Sequence, residues 1–218
     1  MAYPLLYSFR RCPYAMRARL GILYARQTVR LREIVLKHKP EAMLQASPKG
    51  TVPVMILASG EVIDESLPIL KWALSLNDSA DLLLTNSAEQ RSLAKQLIWQ
   101  NDNEFKPCLD RYKYFDRYPE HSQSDYRRQG EVFIAKLEAL LTHNPQLVSC
   151  HISIADIAIF PFIRQFALVD LTWWQQAPYP NVRTWLDAHL SSEPFTQAMQ
   201  KYPTWLSSGE EFIFGQSD

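Results

Sequence analysis

Ser47-Pro-Lys-Gly-Thr-Val-Pro-Val54, continued by Met55-Ile-Leu57, decides how the first third of the chain is read. Ser47 to Gly50 has the residues of a turn, and Val52 to Leu57 is an apolar run of strand length. Ala58-Ser-Gly60 turns it back into Glu61-Val-Ile63, so the segment predicts a hairpin. Its one anomaly is Pro53. Proline cannot donate to a ladder, so within a strand run it marks an edge or a bulge. If the Val52–Pro53 bond is cis, Val52 turns its own N–H and C=O to solvent beside the sheet, where a peptide-like ligand can pair with them. A trans proline at a sheet edge is the plainer alternative.

On the N-terminal side of this hairpin, Pro4 to Phe9 is a short β-prone run bounded by charge. Cys12-Pro13 follows, then a mostly apolar helix from Tyr14 to Tyr24, with proline well placed at a helix start. Val29 to Ile34 alternates apolar and charged residues, as a strand with one wet face does. His38 to Gln45 is polar with helix-forming residues. On the C-terminal side, Asp64-Glu-Ser66 leads into an apolar helix through Ile69, Leu70, Trp72, Ala73, Leu74 and Leu76. The order is β-α-β-(α)-β-β-α.

From Ser87 onward the pattern is helical and no strand is predicted. Helical periodicity runs through Leu93 and Ile98 towards Tyr112, through Val132 to Leu141, from Ile154 to Val169 and from Val182 to Leu190. An α/β domain over 1–77, a polar linker over 78–85 and an all-helical domain over 86–218 are expected. Ser153-Ile-Ala-Asp156 opens one of these helices as a capping box with Asp in place of Glu. Ile152 and Ile157 stand at the spacing of a hydrophobic staple around it. Its role is structural, fixing the start of a buried helix.

Composition narrows the function. The 218 residues carry 23 Lys+Arg against 23 Asp+Glu, and a zero balance argues against nucleic acid or an anionic membrane surface as partner. Hydrophobic residues at 47% are too many for disorder. The 6 glycines stand apart from one another and form no glycine-rich phosphate loop. Cys12, Cys108 and Cys150 form no CxxC pair, the five histidines are scattered, and no metal site is expected. No apolar run approaches the ~18 residues of a membrane span. The expectation is a soluble protein of a reducing, cytoplasmic compartment.

Three places can carry chemistry. Cys12 precedes Pro13 at a helix start, where unpaired N–H groups and the helix dipole favour thiolate. Arg10, Arg11 and Arg17 add positive charge. Thiolate is the form that attacks a disulfide or an electrophile. The position of a second cysteine is taken by Ala15, so a mixed disulfide at Cys12 needs an external thiol to resolve it. The plain reading of Cys12 is a small buried residue at a cap. The second place is Val52-Pro53. The third is Glu65-Ser66, a helix start with N–H groups and a hydroxyl that suits an anion without glycine; simple capping is its alternative.

These landmarks resemble the glutathione S-transferase superfamily in order and spacing: the SPKGTVPV segment, the DES segment and the SIAD box, over nearly the whole chain to about Trp205. The first half resembles that family's thioredoxin-like domain, and Cys12-Pro-Tyr-Ala15 resembles the cysteine-type classes, omega above all. Although Tyr7 and Ser8 lie close by, the tyrosine- and serine-type classes are not matched. The resemblance implies glutathione as co-substrate and Cys12 as catalytic thiol. It further implies Lys39 at the glycyl carboxylate, Val52 before a cis-Pro53 at the cysteinyl unit, Glu65 at the γ-glutamyl ammonium and Ser66 at its carboxylate. Tyr14 and Arg17 would line the entrance. A hydrophobic second-substrate pocket would lie between the domains, with Tyr112 and Phe115 as candidates, although aromatics at helical spacing more often serve the core. A homodimer is expected.

Three functions follow from it. The first is thiol transfer through a Cys12–glutathione mixed disulfide, reducing a disulfide, dehydroascorbate or a glutathionyl adduct. Conjugation of glutathione to an electrophilic small molecule is the second. A non-catalytic binding or regulatory module on the same fold is the third, though it would have no need of Lys39, Val52, Pro53, Glu65 and Ser66 together.

Overall fold

The structure, a computed structural model, describes residues 3–215. They form two compact units, one reaching to Ala80 and resuming from Ser192, and one of Asp81–Ser191.

The first unit contains β1 (Leu5–Ser8), α1 (Pro13–Tyr24), β2 (Val29–Glu33), α2 (Glu41–Ala46), β3 (Val54–Ile56), β4 (Val62–Ile63) and α3 (Ser66–Leu76). This is the β-α-β-α-β-β-α order expected from the sequence. From the C-terminal stretch come α10 (Glu193–Ala198), α11 (Trp205–Ser208) and β5 (Phe212–Phe214). The sheet runs β4-β3-β1-β2-β5. β1 and β2 are parallel, with Ser8 opposite Glu33, and the other pairs are antiparallel. Parallel pairing puts the C-terminal ends of β1 and β2 at the same edge, so the loop carrying Cys12 and the loop carrying Lys39 leave the sheet side by side.

β3 begins at Val54 because Pro53 has no N–H for a ladder, and the Val52–Pro53 bond is cis. α2 starts at Glu41, later than the helix-forming stretch from His38 to Gln45 suggests, behind Pro40 in extended conformation. α1 is buried nearly all round, Arg17 and Arg19 included. It packs against α3 at Gly21, where an added Cβ would stand 2.8 Å from the Cα of Leu70. Glycine here is a requirement of helix approach.

The expectation that no strand follows Ser87 is overturned by β5. Phe212–Phe214 adds to the outer edge of β2, with Val29 opposite Phe214, and closes an edge that would otherwise be unpaired. The expected helical domain over 86–218 is accordingly shorter in the structure, where the helical unit ends at Ser191.

That unit contains α4 (Ala88–Gln100), a π-helical turn over Asn101–Phe105, α5 (Lys106–Lys113), a 3-10 turn over Phe115–Arg117, α6 (Gln123–Leu141), α7 (Ile154–Ala167), α8 (Leu171–Gln176) and α9 (Pro180–Leu190). The helix widens to π geometry just before Pro107, which has no N–H to return to the preceding turn. The expected linker over 78–85 is ordered in its second part. Asp81 accepts the Thr85 N–H at 2.7 Å, Leu82 and Leu84 are buried, and the Ile154 N–H donates to the Leu82 carbonyl. α7 is the core, with Ile157, Ile159, Phe160, Phe162, Ile163 and Phe166 all buried. Each such side chain contributes about 1.5–3 kcal/mol of burial. Among the described residues no helix is long and apolar enough to cross a membrane.

Candidate functional site

Cys12 is the N-cap residue of α1, in extended conformation, with Pro13 at the first helical position. Its backbone closes a turn, the Cys12 N–H donating to the Phe9 carbonyl at 2.9 Å and its carbonyl accepting from Met16 at 2.9 Å. The thiol is half-buried and its Sγ lies 3.9 Å from the Val52 carbonyl oxygen, as donor to it. Around it is an apolar cluster of Leu5, Tyr7, Ala15, Ile34, Met43, Val52 and Val54. No disulfide involves Cys12, Cys108 or Cys150. Cys108 is half-buried, and burial pushes its thiol up from the usual range, away from thiolate.

The turn before Val52 is tied to the start of α3. The Ser47 hydroxyl donates to Asp64 Oδ2 at 2.8 Å, and the Lys49 ammonium pairs with the Glu65 carboxylate. Gly50, at φ +62, lets the turn close, and the Lys39 Nζ stands 3.7 Å from where a Cβ on Gly50 would be. Lys39 thereby lies over the same turn.

At the start of α3 the expected simple capping does not occur. Glu65 holds the N-cap position but makes no side-chain cap bond; its carboxylate points to Lys49 and is exposed. The first backbone N–H bonded within the helix is that of Ile69, to the Glu65 carbonyl, which leaves those of Ser66 and Leu67 at the positive end of the helix. Ser66 is 3% exposed, and its hydroxyl accepts from Arg17 Nη1 at 3.3 Å. Because the guanidinium only donates, the Ser66 hydroxyl hydrogen is left for another acceptor.

The Cys12 thiol thus reaches Val52 beside Pro53, Glu65 is tied through Lys49 to the 47–53 turn over which Lys39 lies, and Ser66 is tied through Arg17 to α1. Tyr14 is half-buried, with its ring 5.6 Å from the Arg17 guanidinium. Arg17 differs from the expectation of an entrance residue. It is 1% exposed and stands behind Ser66. An arginine in an apolar helix reads as solvent-facing, and only the packing of α1 against α3 shows otherwise. Lys49 was not singled out from the sequence, although it lies inside the SPKG turn. Its pairing with Glu65 raises its pKa, the hydrogen bond being the largest cause.

The hydroxyls of Tyr7 and Ser8, which lie close before the thiol in sequence, are engaged elsewhere. Tyr7 Oη accepts from Arg32 at 2.6 Å in a partly buried bond and Ser8 Oγ from Arg19 at 2.8 Å in a buried one. Tyr112 is 1% exposed in the helical core, with its ring 4.9 Å from Phe166, and burial pushes its phenol up to about 12. Phe115 is 42% exposed on the 3-10 turn. The structure therefore puts one candidate of the second-substrate pair in the core and the other on the surface. No group of three or more His, Cys, Asp or Glu is placed to hold a metal ion among the described residues.

Ser153 and Asp156 form the capping box at the start of α7. Asp156 also accepts from the Leu147 N–H at 2.9 Å and from Trp185 Nε1 at 3.0 Å, so one buried carboxylate gathers three segments. A second box, Ser122 with Asp125, starts α6.

The geometry stands beside close parallels. Residues 6–80 match the glutathione S-transferase N-terminal domain and residues 123–188 the glutathione S-transferase C-terminal domain, together more than half of the chain. The chain is 24% identical over 214 residues to glutathione S-transferase omega-1 of Sus scrofa, covering 97% of this chain and 86% of that protein. A glutathione transferase family member from Pseudomonas fluorescens Pf-5, solved with two glutathione bound, superposes with a TM-score of 0.77 at 17% identity, over 90% of this chain and 92% of that one. A glutathione transferase from Phanerochaete chrysosporium, solved with oxidized glutathione, gives 0.77 at 16% identity, over 90% and 94%. Matched in both of its domains, and sharing this fold, the chain belongs to the glutathione S-transferase superfamily.

Proposed function

We propose that the chain is a glutathione-dependent thiol transferase of the cysteine type, with Cys12 as nucleophile. The observation that carries the proposal is the position of Cys12 at the α1 N-cap, its Sγ beside the Val52 carbonyl, with Lys39 over the 47–53 turn, Glu65 tied to that turn through Lys49 and Ser66 tied to α1 through Arg17. Glutathione has two carboxylates and one ammonium, and this donor set matches it. Lys39 takes the glycyl carboxylate, Ser66 with the N–H groups of the α3 start takes the γ-glutamyl carboxylate, and Glu65 takes the ammonium. The backbone of Val52 takes the cysteinyl unit. Glu65 must release Lys49 to do so, which an exposed ion pair permits at little cost.

In the first step the Cys12 thiolate attacks the glutathionyl sulfur of a disulfide. The Cys12–glutathione disulfide forms, the original S–S bond breaks, and the leaving thiolate takes a proton from water. In the second, glutathione thiolate attacks the bound glutathionyl sulfur. Glutathione disulfide leaves, and Cys12 returns as thiolate. With Ala15 where a resolving cysteine would stand, the second thiol comes from outside. The helix start favours the anionic form of Cys12 in both steps.

This chemistry needs abundant glutathione and reduced thiols, and we place the protein in the cytoplasm as a homodimer on that ground and on the family resemblance. The reading is tested by Cys12→Ser. Thiol transfer from glutathione to a small disulfide should fall by at least 10²-fold on general grounds for loss of a nucleophile. Unchanged turnover would end the proposal.

A further inference from the structure

A buried ion pair lies behind the thiol loop. Arg19, on α1, has no exposed surface, and its guanidinium meets three acceptors: Ser8 Oγ at 2.8 Å, the Ala198 carbonyl at 3.0 Å and the Glu33 carboxylate. Glu33, at the end of β2, is itself buried, and its other oxygen accepts the backbone N–H of Arg10 at 2.7 Å. Arg10 lies inside the turn that Cys12 closes on the Phe9 carbonyl. The Arg10 guanidinium reaches the Met199 carbonyl at 3.4 Å. Burial pulls the Arg19 pKa down, and the Glu33 carboxylate works against that pull.

We propose that Glu33 is a positioning residue for the Cys12 thiol, acting through the Arg10 N–H, while Arg19 balances its buried charge; this rests on the reading of Cys12 as the reactive thiol. Glu33 fixes the turn between β1 and α1 by one charge-assisted hydrogen bond, and Arg19 neutralises the buried Glu33 carboxylate. Glu33 reaches no reacting atom. It sets the direction in which the Cys12 backbone presents Sγ to Val52 and to the α1 N-terminus. Residues 198 and 199 hold the same two arginines, so the C-terminal return of the chain supports the thiol loop from the far side of α1.

Single variants would leave one buried charge without its partner and threaten folding, so the test uses two double variants. Arg19→Met with Glu33→Leu removes both charges and the acceptor of the Arg10 N–H. Arg19→Met with Glu33→Gln removes the charges but keeps a carbonyl oxygen for that N–H. Both lose the Arg19 bonds equally, so the comparison isolates the tether. The readout is the rate of Cys12 alkylation by iodoacetamide at fixed pH, followed by mass spectrometry, with thermal unfolding alongside. The Gln variant should alkylate within about twofold of the parent and the Leu variant about tenfold more slowly, the two melting within a few degrees of each other. Equal alkylation rates in the two variants would overturn the positioning role. The readout needs no glutathione, so failure of the thiol transferase reading and failure of this proposal are separately visible.

Discussion

Asp156→Ala removes one carboxylate that holds three parts of the helical unit together. Its two oxygens accept the Ser153 N–H at 2.9 Å, the Ser153 hydroxyl at 2.8 Å, the Leu147 N–H at 2.9 Å and the Trp185 indole N–H at 3.0 Å. The loss of the cap alone is worth ~0.5–2 kcal/mol. Two buried donors, those of Leu147 and Trp185, are also left without an acceptor, at ~1–3 kcal/mol each. Relief from burying a charge offsets part of this, and the net loss is about 3–5 kcal/mol. For a chain of this size each kcal/mol moves the melting temperature by roughly 2–4 °C, so a drop of about 10 °C is expected. Tryptophan fluorescence during thermal unfolding measures it directly, because Trp185 is one of the donors. Asp125→Ala, which breaks the exposed box of α6, is the control and should move the melting temperature far less. A shift for Asp156→Ala no larger than that of the control would refute the reasoning, because it would mean the buried carboxylate does no more than an ordinary cap.

Gly21→Ala places a methyl 2.5 Å from Leu70 Cδ1 and 2.8 Å from its Cα, so α1 and α3 must separate; a loss of ~1–3 kcal/mol in urea unfolding is expected. Lys49→Gln breaks only an exposed ion pair and should leave the melting temperature unmoved to about 1 °C, while Glu65→Gln should weaken glutathione binding about tenfold by calorimetry with the fold equally unaffected. His189 is stacked on Phe160 at 4.9 Å, and burial lowers its pKa while Asp156 partly raises it. A lowered folded-state pKa means that the unfolded chain binds the proton first. Stability should therefore fall as pH drops below about 6.5, by at most ~1.4 kcal/mol per pH unit for this one group, and His189→Gln should flatten that limb of the pH–stability curve.

Much of the first unit was legible because its signals are local. The SPKGTVPV turn, Pro13 after Cys12 and the apolar run after Ser66 each name their element without help from distant residues. The SIAD box was legible for the same reason, and Ser122-Gln-Ser-Asp125 carries the same pattern at α6. What the sequence hid depends on packing between remote segments. Phe212-Ile-Phe214 is too short to announce a strand, and only the open edge of β2 makes it one. Arg17 and Arg19 sit in a helix whose surroundings cover every face, and their burial follows from Ser66, Glu33 and Ala198, residues from 14 to 179 positions away. Tyr112 shows the reverse case: a helical aromatic expected at a pocket serves the core against Phe166.

Intact-protein mass spectrometry after incubation with oxidised glutathione tests the central claim most directly. The account predicts one added glutathionyl group, located at Cys12 by peptide mapping, absent in Cys12→Ser and removed by reduced glutathione. A Cys12 that stays unmodified while glutathione itself binds would contradict it.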